Sequence, residues 1–288
     1  MKFREKLNKG VFVVTGEIGP PKGTDVSSIV NEAKVYKNRV DAVNVTEQQS
    51  AVMRLGSLAG SLFLLRQGLE PIYQMTCRDR NRIALQSDIL SAYALGIENV
   101  LILTGDDPKM GDHPDAKAVF DMDAVSLLDT VKKLNSGYDM AGSKLTGKTS
   151  LFAGAAVNPA AGDLEKELAR FNEKMENGAM FFQTQAVFDP KAFISFCKKV
   201  KDLKPKILAG ILLLKSEKMA NYINKNIYGM NVPDNIIKEI AYAKDKRKGS
   251  VEIACRTIEE VRQYCSGVHI MPLGWTEEAV EIASKIKK

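Results

Sequence analysis

The chain is poor in the side chains that metals and covalent catalysis favour. Its 288 residues include only two histidines, His113 and His269, and four cysteines, Cys77, Cys197, Cys255 and Cys265. No CxxC pair and no HExxH occurs, so zinc-ligand spacing is absent and the thiols read as reduced and buried. Aromatics are 7% of the chain, with a single tryptophan. No apolar run approaches the ~20 residues of a membrane span. Met1-Lys2-Phe3-Arg4-Glu5-Lys6 lacks the apolar stretch of a signal peptide, so the expected location is the cytoplasm. No GxGxxG is present, so a Rossmann nicotinamide site has no support. Gly142-Ser143-Lys144-Leu145-Thr146-Gly147-Lys148-Thr149 does match the P-loop pattern GxxxxGK[ST]. A phosphate cradle needs a strand before it and a helix after it. Here a helical pattern precedes it and the apolar run 150–156 follows, so it reads as a helix-to-strand linker.

What is present describes an ordinary soluble protein long enough for a full-sized core, with 45% apolar and 26% charged residues. This composition excludes disorder, collagen and coiled coil. The net charge is +6, from 41 basic and 35 acidic side chains. The lysines are dispersed, as at Lys198, Lys199 and Lys201, and read as solvated faces; steering of an anionic ligand or partner is the alternative, and nucleic acid is not expected.

Short apolar runs alternate with amphipathic helical runs. Strands are expected at about 11–17, 42–46, 71–76, 99–104, 151–156, 180–185, 207–212 and 268–271. Several are apolar at consecutive positions, as in Val100-Leu101-Ile102-Leu103, which suits strands buried on both faces. Seven precede a helical pattern, and the eighth is followed by a last helix from Thr276. Eight such units predict a (β/α)8 TIM barrel forming one domain over 1–288. The stretch 214–265 is longer than one unit needs and reads as a helical insertion between strands seven and eight, broken at Gly229–Pro233. Residues 105–116 read as a long loop after strand four.

A barrel of this kind carries its chemistry at the C-terminal ends of its strands. Those ends hold Glu17, Thr46, Thr76, Asp106, Asn158, Gln185, Leu214 and Met271. Glu17, before Ile18-Gly19-Pro20-Pro21, is a partly desolvated carboxylate suited to proton donation, or else a brace for the turn. Asp106 follows Gly105, whose freedom lets the backbone approach a ligand; an Asx turn is the alternative. Gln183 and Gln185 share one strand face, and their amides can read a heterocycle edge or brace a loop. Arg78, Arg80 and Arg82 can grip a phosphate, a carboxylate or a partner protein, or open a salt-bridged helix.

One set of motifs runs through the chain in a fixed order from Val11 to about Gly274. They are Glu17 with Pro20-Pro21, Val45-Thr46, Met75-Thr76-Cys77, Gly105-Asp106, Asn158-Pro159, Lys174, and Gln183-Thr184-Gln185 with Phe188-Asp189. Together they resemble the methylenetetrahydrofolate reductase family of flavin-dependent (β/α)8 barrels. The wording is nearest to the short bacterial reductases of one-carbon and acetogenic metabolism, and to the reductase half of homocysteine-methyltransferase fusions. The resemblance implies an oxidoreductase that turns 5,10-methylenetetrahydrofolate into 5-methyltetrahydrofolate by hydride transfer from reduced flavin, with no metal. It implies Glu17 as the acid that protonates a folate nitrogen and opens the ring to a 5-iminium cation. Asp106 would support that cation beside the flavin. Gln185, with Gln183, would bind the pterin. Thr46, Thr76, Gly105, Asn158 and Lys174 would bind the flavin, Lys174 at its phosphate.

The chain departs from that pattern in two respects. Family members that bind FAD place an arginine before Gly-Asp, an aromatic in the strand-five loop and a histidine before its proline; here stand Thr104, Gly154 and Asn158, and Gln74 also replaces a histidine. FMN is therefore the favoured cofactor, with FAD the alternative. Beyond strands seven and eight, Glu217, Met271 and Trp275 stand where an aromatic, a tyrosine and an arginine serve substrate. Electrons are then expected from NAD(P)H or from a partner subunit, electron-transferring or zinc-containing; a homo-oligomer is also compatible. Two other classes remain open: a non-catalytic subunit holding flavin or folate, and a flavin-free barrel lyase.

Overall fold

A computed structural model of the chain describes residues 1–227 and 229–286. Eight strands, β1 (Val13–Ile18), β2 (Ala42–Val45), β3 (Pro71–Thr76), β4 (Asn99–Leu103), β5 (Phe152–Val157), β6 (Phe181–Ala186), β7 (Ile207–Leu212) and β8 (Gly267–Met271), pair in parallel and in sequence order, and β8 closes on β1. This is the expected (β/α)8 barrel, each strand within two residues of its expected bounds at either end. Almost every strand residue is buried, because the outer faces meet helices and the inner faces meet one another.

Eight helices form the outer ring: α2 (Ser27–Tyr36), α3 (Ser57–Arg66), α4 (Arg82–Ala94), α5 (Ala124–Ser136), α6 (Leu164–Glu176), α7 (Pro190–Val200), α10 (Lys246–Val261) and α11 (Thr276–Ile286). Their starts are written in the sequence. Asn81, Asp123, Asp163, Asp189 and Asp245 each accept from a backbone N–H of the first turn, which satisfies donors that a helix cannot satisfy internally. The P-loop-like segment lies between α5 and β5, at the end of the barrel away from the strand C-termini, as expected of a linker.

The expected insertion between β7 and β8 is present. Its last helix, α10, occupies the ring position, packed on β7, α7 and α11. The true additions are α8 (Glu217–Asn226) and α9 (Asp234–Tyr242), amphipathic helices whose apolar faces (Ala220, Ile223, Ile236, Ile237, Ile240) join Leu214 and Phe188 in a small core of their own. Gly229 sits against the Asn158 amide, whose Nδ2 donates to the Gly229 carbonyl at 3.0 Å. The insertion therefore reaches over the ends of β6 and β5.

The first helix, α1 (Phe3–Asn8), has no counterpart in the strand-and-helix reading, being too short to show periodicity. Phe3 and Leu7 enter the bottom of the barrel and meet Val13, Ala42, Ile72, Phe152, Phe181 and Leu208. Phe152 and Phe181 stack with centroids 5.1 Å apart, and Phe3 meets Phe181 edge-on at 5.4 Å. Each such pair contributes about 0.5–1.5 kcal/mol beyond burial. With the lower half filled by apolar rings, ligand space is confined to the other end, where the strands finish.

Candidate active site

Above the apolar floor, the interior of the barrel turns polar. Glu17 on β1, Thr46 just after β2, Thr76 at the end of β3, Gln183 on β6 and His269 on β8 are all buried. Three of them carry side-chain atoms with no hydrogen-bond partner: Thr46 Oγ1, Thr76 Oγ1 and Gln183 Nε2. Leaving a buried donor or acceptor unpaired costs about 1–3 kcal/mol. Three such atoms at strand ends are the mark of a site whose polar partner is a ligand. These are residues the sequence had singled out, and they fit a flat heterocycle with donors and acceptors on its edge.

Glu17 is held by a chain of side chains that the sequence reading missed. Its Oε2 lies 3.3 Å from His269 Nε2. His269 Nδ1 lies 3.2 Å from Asn44 Nδ2 and 3.1 Å from Thr15 Oγ1. Asn44 Oδ1 in turn accepts from Gln74 Nε2 at 3.4 Å. The amide fixes the direction of the chain: with Oδ1 turned to Gln74, Nδ2 can only donate, so Nδ1 of the imidazole accepts and its proton resides on Nε2, aimed at Glu17. Among the described residues no hydrogen bond engages Glu17 Oε1, the oxygen left for a ligand.

The remaining expected residues fall into separate places. Gly105 takes φ +95°, and a Cβ there would come within 3.0 Å of Thr76 Cβ and 3.1 Å of Arg78 Cβ. Glycine thus lets the β4 loop lie directly on the end of β3, which sets Asp106 at the rim. Asp106 is exposed, and no hydrogen bond among the described residues engages its carboxylate. Gln185 is exposed beyond a register shift in β6 and lines a cavity of about 390 Å³ with Asn158, Phe188 and Asn231. It is therefore not level with Gln183, although the alternation of a regular strand would put both on one face. The Asn158 amide is already committed, donating to the insertion and accepting from Ala160 N at 3.0 Å. Lys174 on α6 donates from Nζ to Ala156 O at 2.8 Å, and burial holds its pKa below the ordinary lysine value. An ammonium has three donors, so a phosphate can share it with that carbonyl.

One of the departures read from the sequence needs correction. Gly154, taken as the place of a strand-five-loop aromatic, lies inside β5, and a Cβ there would sit 2.3 Å from the Phe181 ring. It makes room for the barrel floor and is not a lost cofactor contact. Arg78 and Arg80 are likewise drawn inward: Arg78 is buried on Asp79 and Gln48, and Arg80 pairs with Asp88 at 2.8 Å and approaches Glu47 at 3.6 Å. Burial pushes the Glu47 carboxyl upward against the opposing pull of Arg80. Arg82 alone is turned outward, onto Asp121.

Among the described residues, no cluster of three or more His, Cys, Asp or Glu side chains could hold a metal, and no helix is long and apolar enough to cross a membrane. A family model described as methylenetetrahydrofolate reductase matches residues 2–287. The chain is 26% identical over 221 residues to 5,10-methylenetetrahydrofolate reductase of Pectobacterium carotovorum, covering 73% of this chain and 68% of that one. It is 24% identical over 234 residues to the enzyme of the same name from Salmonella typhimurium, covering 75% and 72%. Among solved structures it resembles an uncharacterized Clostridium thermocellum protein that binds two copies of 5-methyl-5,6,7,8-tetrahydrofolic acid, with TM-score 0.68 and 16% identity over 99% of this chain and 98% of that one.

Proposed function

The chain belongs to the methylenetetrahydrofolate reductase family, a family of oxidoreductases, and from that premise we propose that it converts 5,10-methylenetetrahydrofolate to 5-methyltetrahydrofolate at the polar mouth of the barrel, with Glu17 as the proton donor. The observation that carries this reading is the buried layer of Glu17, Thr46, Thr76, Gln183 and His269, in which three side-chain atoms lack partners and one carboxyl oxygen is free.

Glu17 is the acid in this reading. Burial against the barrel wall and the His269 N–H on Oε2 leave Oε1 to carry the proton toward a folate nitrogen. A positioned acid of this kind contributes typically 10²–10⁴-fold. Asp106, exposed at the rim with a free carboxylate, faces the cation that ring opening leaves. Gln183 in the buried polar layer and Gln185 at the lip offer amide edges to the pterin. The apolar floor below and the insertion above limit the access of water to the reacting centre.

The cofactor in this reading is a flavin, which supplies the hydride when bound. Thr46 Oγ1 and Thr76 Oγ1 would pair with its ring edge and Lys174 with its phosphate. FMN fits better than FAD, because Thr104 has replaced an arginine and the Asn158 amide is already spent on Gly229. The single barrel over 1–288 would hold both flavin and folate. Glu217, Met271 and Trp275 favour electrons from a partner protein over direct reduction by NADH.

The test is to identify any chromophore released from the purified protein and to measure oxidation of 5-methyltetrahydrofolate with a viologen acceptor. A yellow protein with turnover supports the reading. A colourless protein without turnover overturns it in favour of a flavin-free lyase, and a yellow protein without turnover in favour of a non-catalytic subunit.

A further inference from the structure

A helix on the outside of a barrel ordinarily turns an apolar stripe to the strands and a polar one to water. Helix α3 is built the other way round. Its buried side is mostly small: Ser57, Gly60 and Ser61, with Leu64 the one large side chain among them. A Cβ at Gly60 would fall 2.7 Å from Val45 Cγ1, and Ser57 Oγ donates to Gln74 O at 2.8 Å. The backbone of α3 is thus drawn close onto β2 and β3. Its large residues, Leu58, Leu62, Phe63 and Leu65, are left on the flanks and the outer side, each partly exposed. Helix α4, next in the ring, continues this surface. Ile83, Ser87, Leu90 and Ala94 recur at helical spacing, all exposed, opposite the buried Leu85, Ile89 and Ala92. Ile83 is 75% exposed.

The face is also nearly free of charge. Arg66, Arg82 and Asp88 are the only charged residues of α3 and α4 together, whereas α6 alone carries seven. Arg82 is paired with Asp121 and Asp88 with Arg80, and Arg66 closes the last turn of α3, its guanidinium 5.7 Å from the centre of the Phe63 ring. On a chain of net charge +6, such a face is out of character with the rest of the ring. Contiguous apolar surface of this kind marks a contact with another macromolecule.

We propose that the outer faces of α3 and α4 pair with the same faces of a second copy of this chain, as a two-fold dimer. Two chains of like net charge repel wherever charged surfaces meet. An uncharged apolar face escapes that repulsion and is complementary to itself, which is what a two-fold contact between identical patches demands. An acidic partner protein would be drawn instead to the basic surfaces elsewhere on the chain. The size is sufficient. The helices are 10 and 13 residues long, about 15 and 20 Å at the usual rise, with neighbouring axes roughly 8–10 Å apart. With the turns at either end, a face of those dimensions is on the order of the 800 Å² per partner that a stable pair buries. Ala59 on α3 and Ser87 and Ala94 on α4 are small enough to let facing helices approach closely. The face lies on the flank of the barrel, so pairing leaves the mouth open to substrate.

The experiment is sedimentation velocity of the purified protein over a range of micromolar concentrations, for wild type, Leu62→Glu, Leu90→Glu and Ser87→Arg. Tyr242→Glu, at an exposed aromatic of α9 outside this face, is the control. Wild type sediments at about twice the 31.7 kDa of one chain. Each of the three variants on the face raises the dissociation constant by about tenfold or more, as loss of a central apolar contact does, and Tyr242→Glu leaves it unchanged. Added salt tightens the wild-type pair, because it screens the repulsion between like-charged chains and leaves the apolar contact intact. Ser87 is exposed on the helix surface, so Ser87→Arg leaves the core untouched and decides the matter even where a leucine variant fails to fold, with circular dichroism reporting the fold. A wild type that stays monomeric throughout the range, or a dimer that survives Ser87→Arg and every folded leucine variant, overturns the proposal. Neither outcome bears on the folate reading, which turnover tests.

Discussion

His269 Nε2 lies 3.3 Å from Glu17 Oε2, although 252 residues separate the two in sequence. Only closure of the barrel makes them neighbours: Thr15 on β1 is in register with His269 on β8, and Glu17 extends the same inward face two residues further on. The contact holds the Glu17 carboxyl with one oxygen used and, among the described residues, one free.

Glu17→Gln is expected to keep the fold and the bound flavin and to lose about 10²–10⁴-fold in folate turnover, since an amide of the same shape has no carboxyl proton to give. Viologen-linked oxidation of 5-methyltetrahydrofolate measures the loss, and the flavin spectrum reports retention of the site. Turnover within about threefold of wild type would remove Glu17 from the acid role.

His269→Asn tests the positioning of that acid. Asparagine still offers an N–H but cannot span from Asn44 to Glu17, so the carboxyl is left to rotate. The expected result is a drop of roughly tenfold or more in kcat with folate KM little changed, and a displaced acid limb in the pH–rate profile. A histidine that merely filled the core would give a lower melting temperature and an unaltered pH profile.

Lys174→Ala is expected to weaken flavin binding by about tenfold or more, because a charge-assisted phosphate contact is lost from a half-buried place. The pH dependence gives a second readout. Burial lowers the Lys174 pKa, against the opposing pull of Glu167. The ammonium of the flavin-free protein therefore discharges at a lower pH than an ordinary lysine, and flavin affinity should fall as pH rises through that lowered value. Lys174→Arg, charged throughout, should bind flavin without this alkaline loss. Fluorescence titration of flavin between neutral and alkaline pH measures both effects; equal affinities for wild type and Lys174→Ala would show that the lysine only braces Ala156.

Gly154→Ala addresses the barrel floor. The added methyl would meet the Phe181 ring at 2.3 Å, and that ring is pinned by Phe152 and Phe3. Overpacking of this kind costs about 1–3 kcal/mol, or a melting temperature lower by roughly 2–5 °C. An unchanged or higher melting temperature would mean that the floor has slack.

The sequence was most legible where one element suffices. Consecutive apolar residues marked the strands, because burial on both faces is a local demand. Glu17, Thr46, Thr76 and Gln183 could be picked out as strand-end polar residues, and the barrel places all four in one buried layer. His269 and Asn44 could not. A lone histidine in Val268-His269-Ile270 reads as a core residue, and its role depends on which strand closes the barrel beside it. Two local features were hidden for related reasons: the register shift in β6 beside Gln185 and the bulk of Phe181 against Gly154 are invisible to a periodicity of two. Helix α1 was missed because six residues carry too little pattern.

The last prediction concerns the electron donor. Nicotinamide reduces a flavin only when it stacks on the ring within hydride distance of it, and on the reading proposed above Glu217, Met271 and Trp275 stand in place of the family's residues for that task. Trp275 is the one aromatic among them, and its ring is already covered by Lys215 and Arg247. To stack nicotinamide it would have to shed at least one cation and break the Lys215 contact to Leu273 O that joins the turns after β7 and β8. Glu217, at the first turn of α8, would meet the pyrophosphate with like charge. On the proposed reading, a flavin bound to the isolated chain is therefore expected to reduce slowly with NADH, over many seconds at sub-millimolar concentration, and to reduce fast with a small viologen radical that needs no seat. Stopped-flow absorbance of the flavin band measures both rates. Complete reduction by NADH within about a second, the pace of ordinary enzyme turnover, would show that the chain needs no partner for electrons and that the Lys215–Trp275–Arg247 arrangement opens to admit the nucleotide.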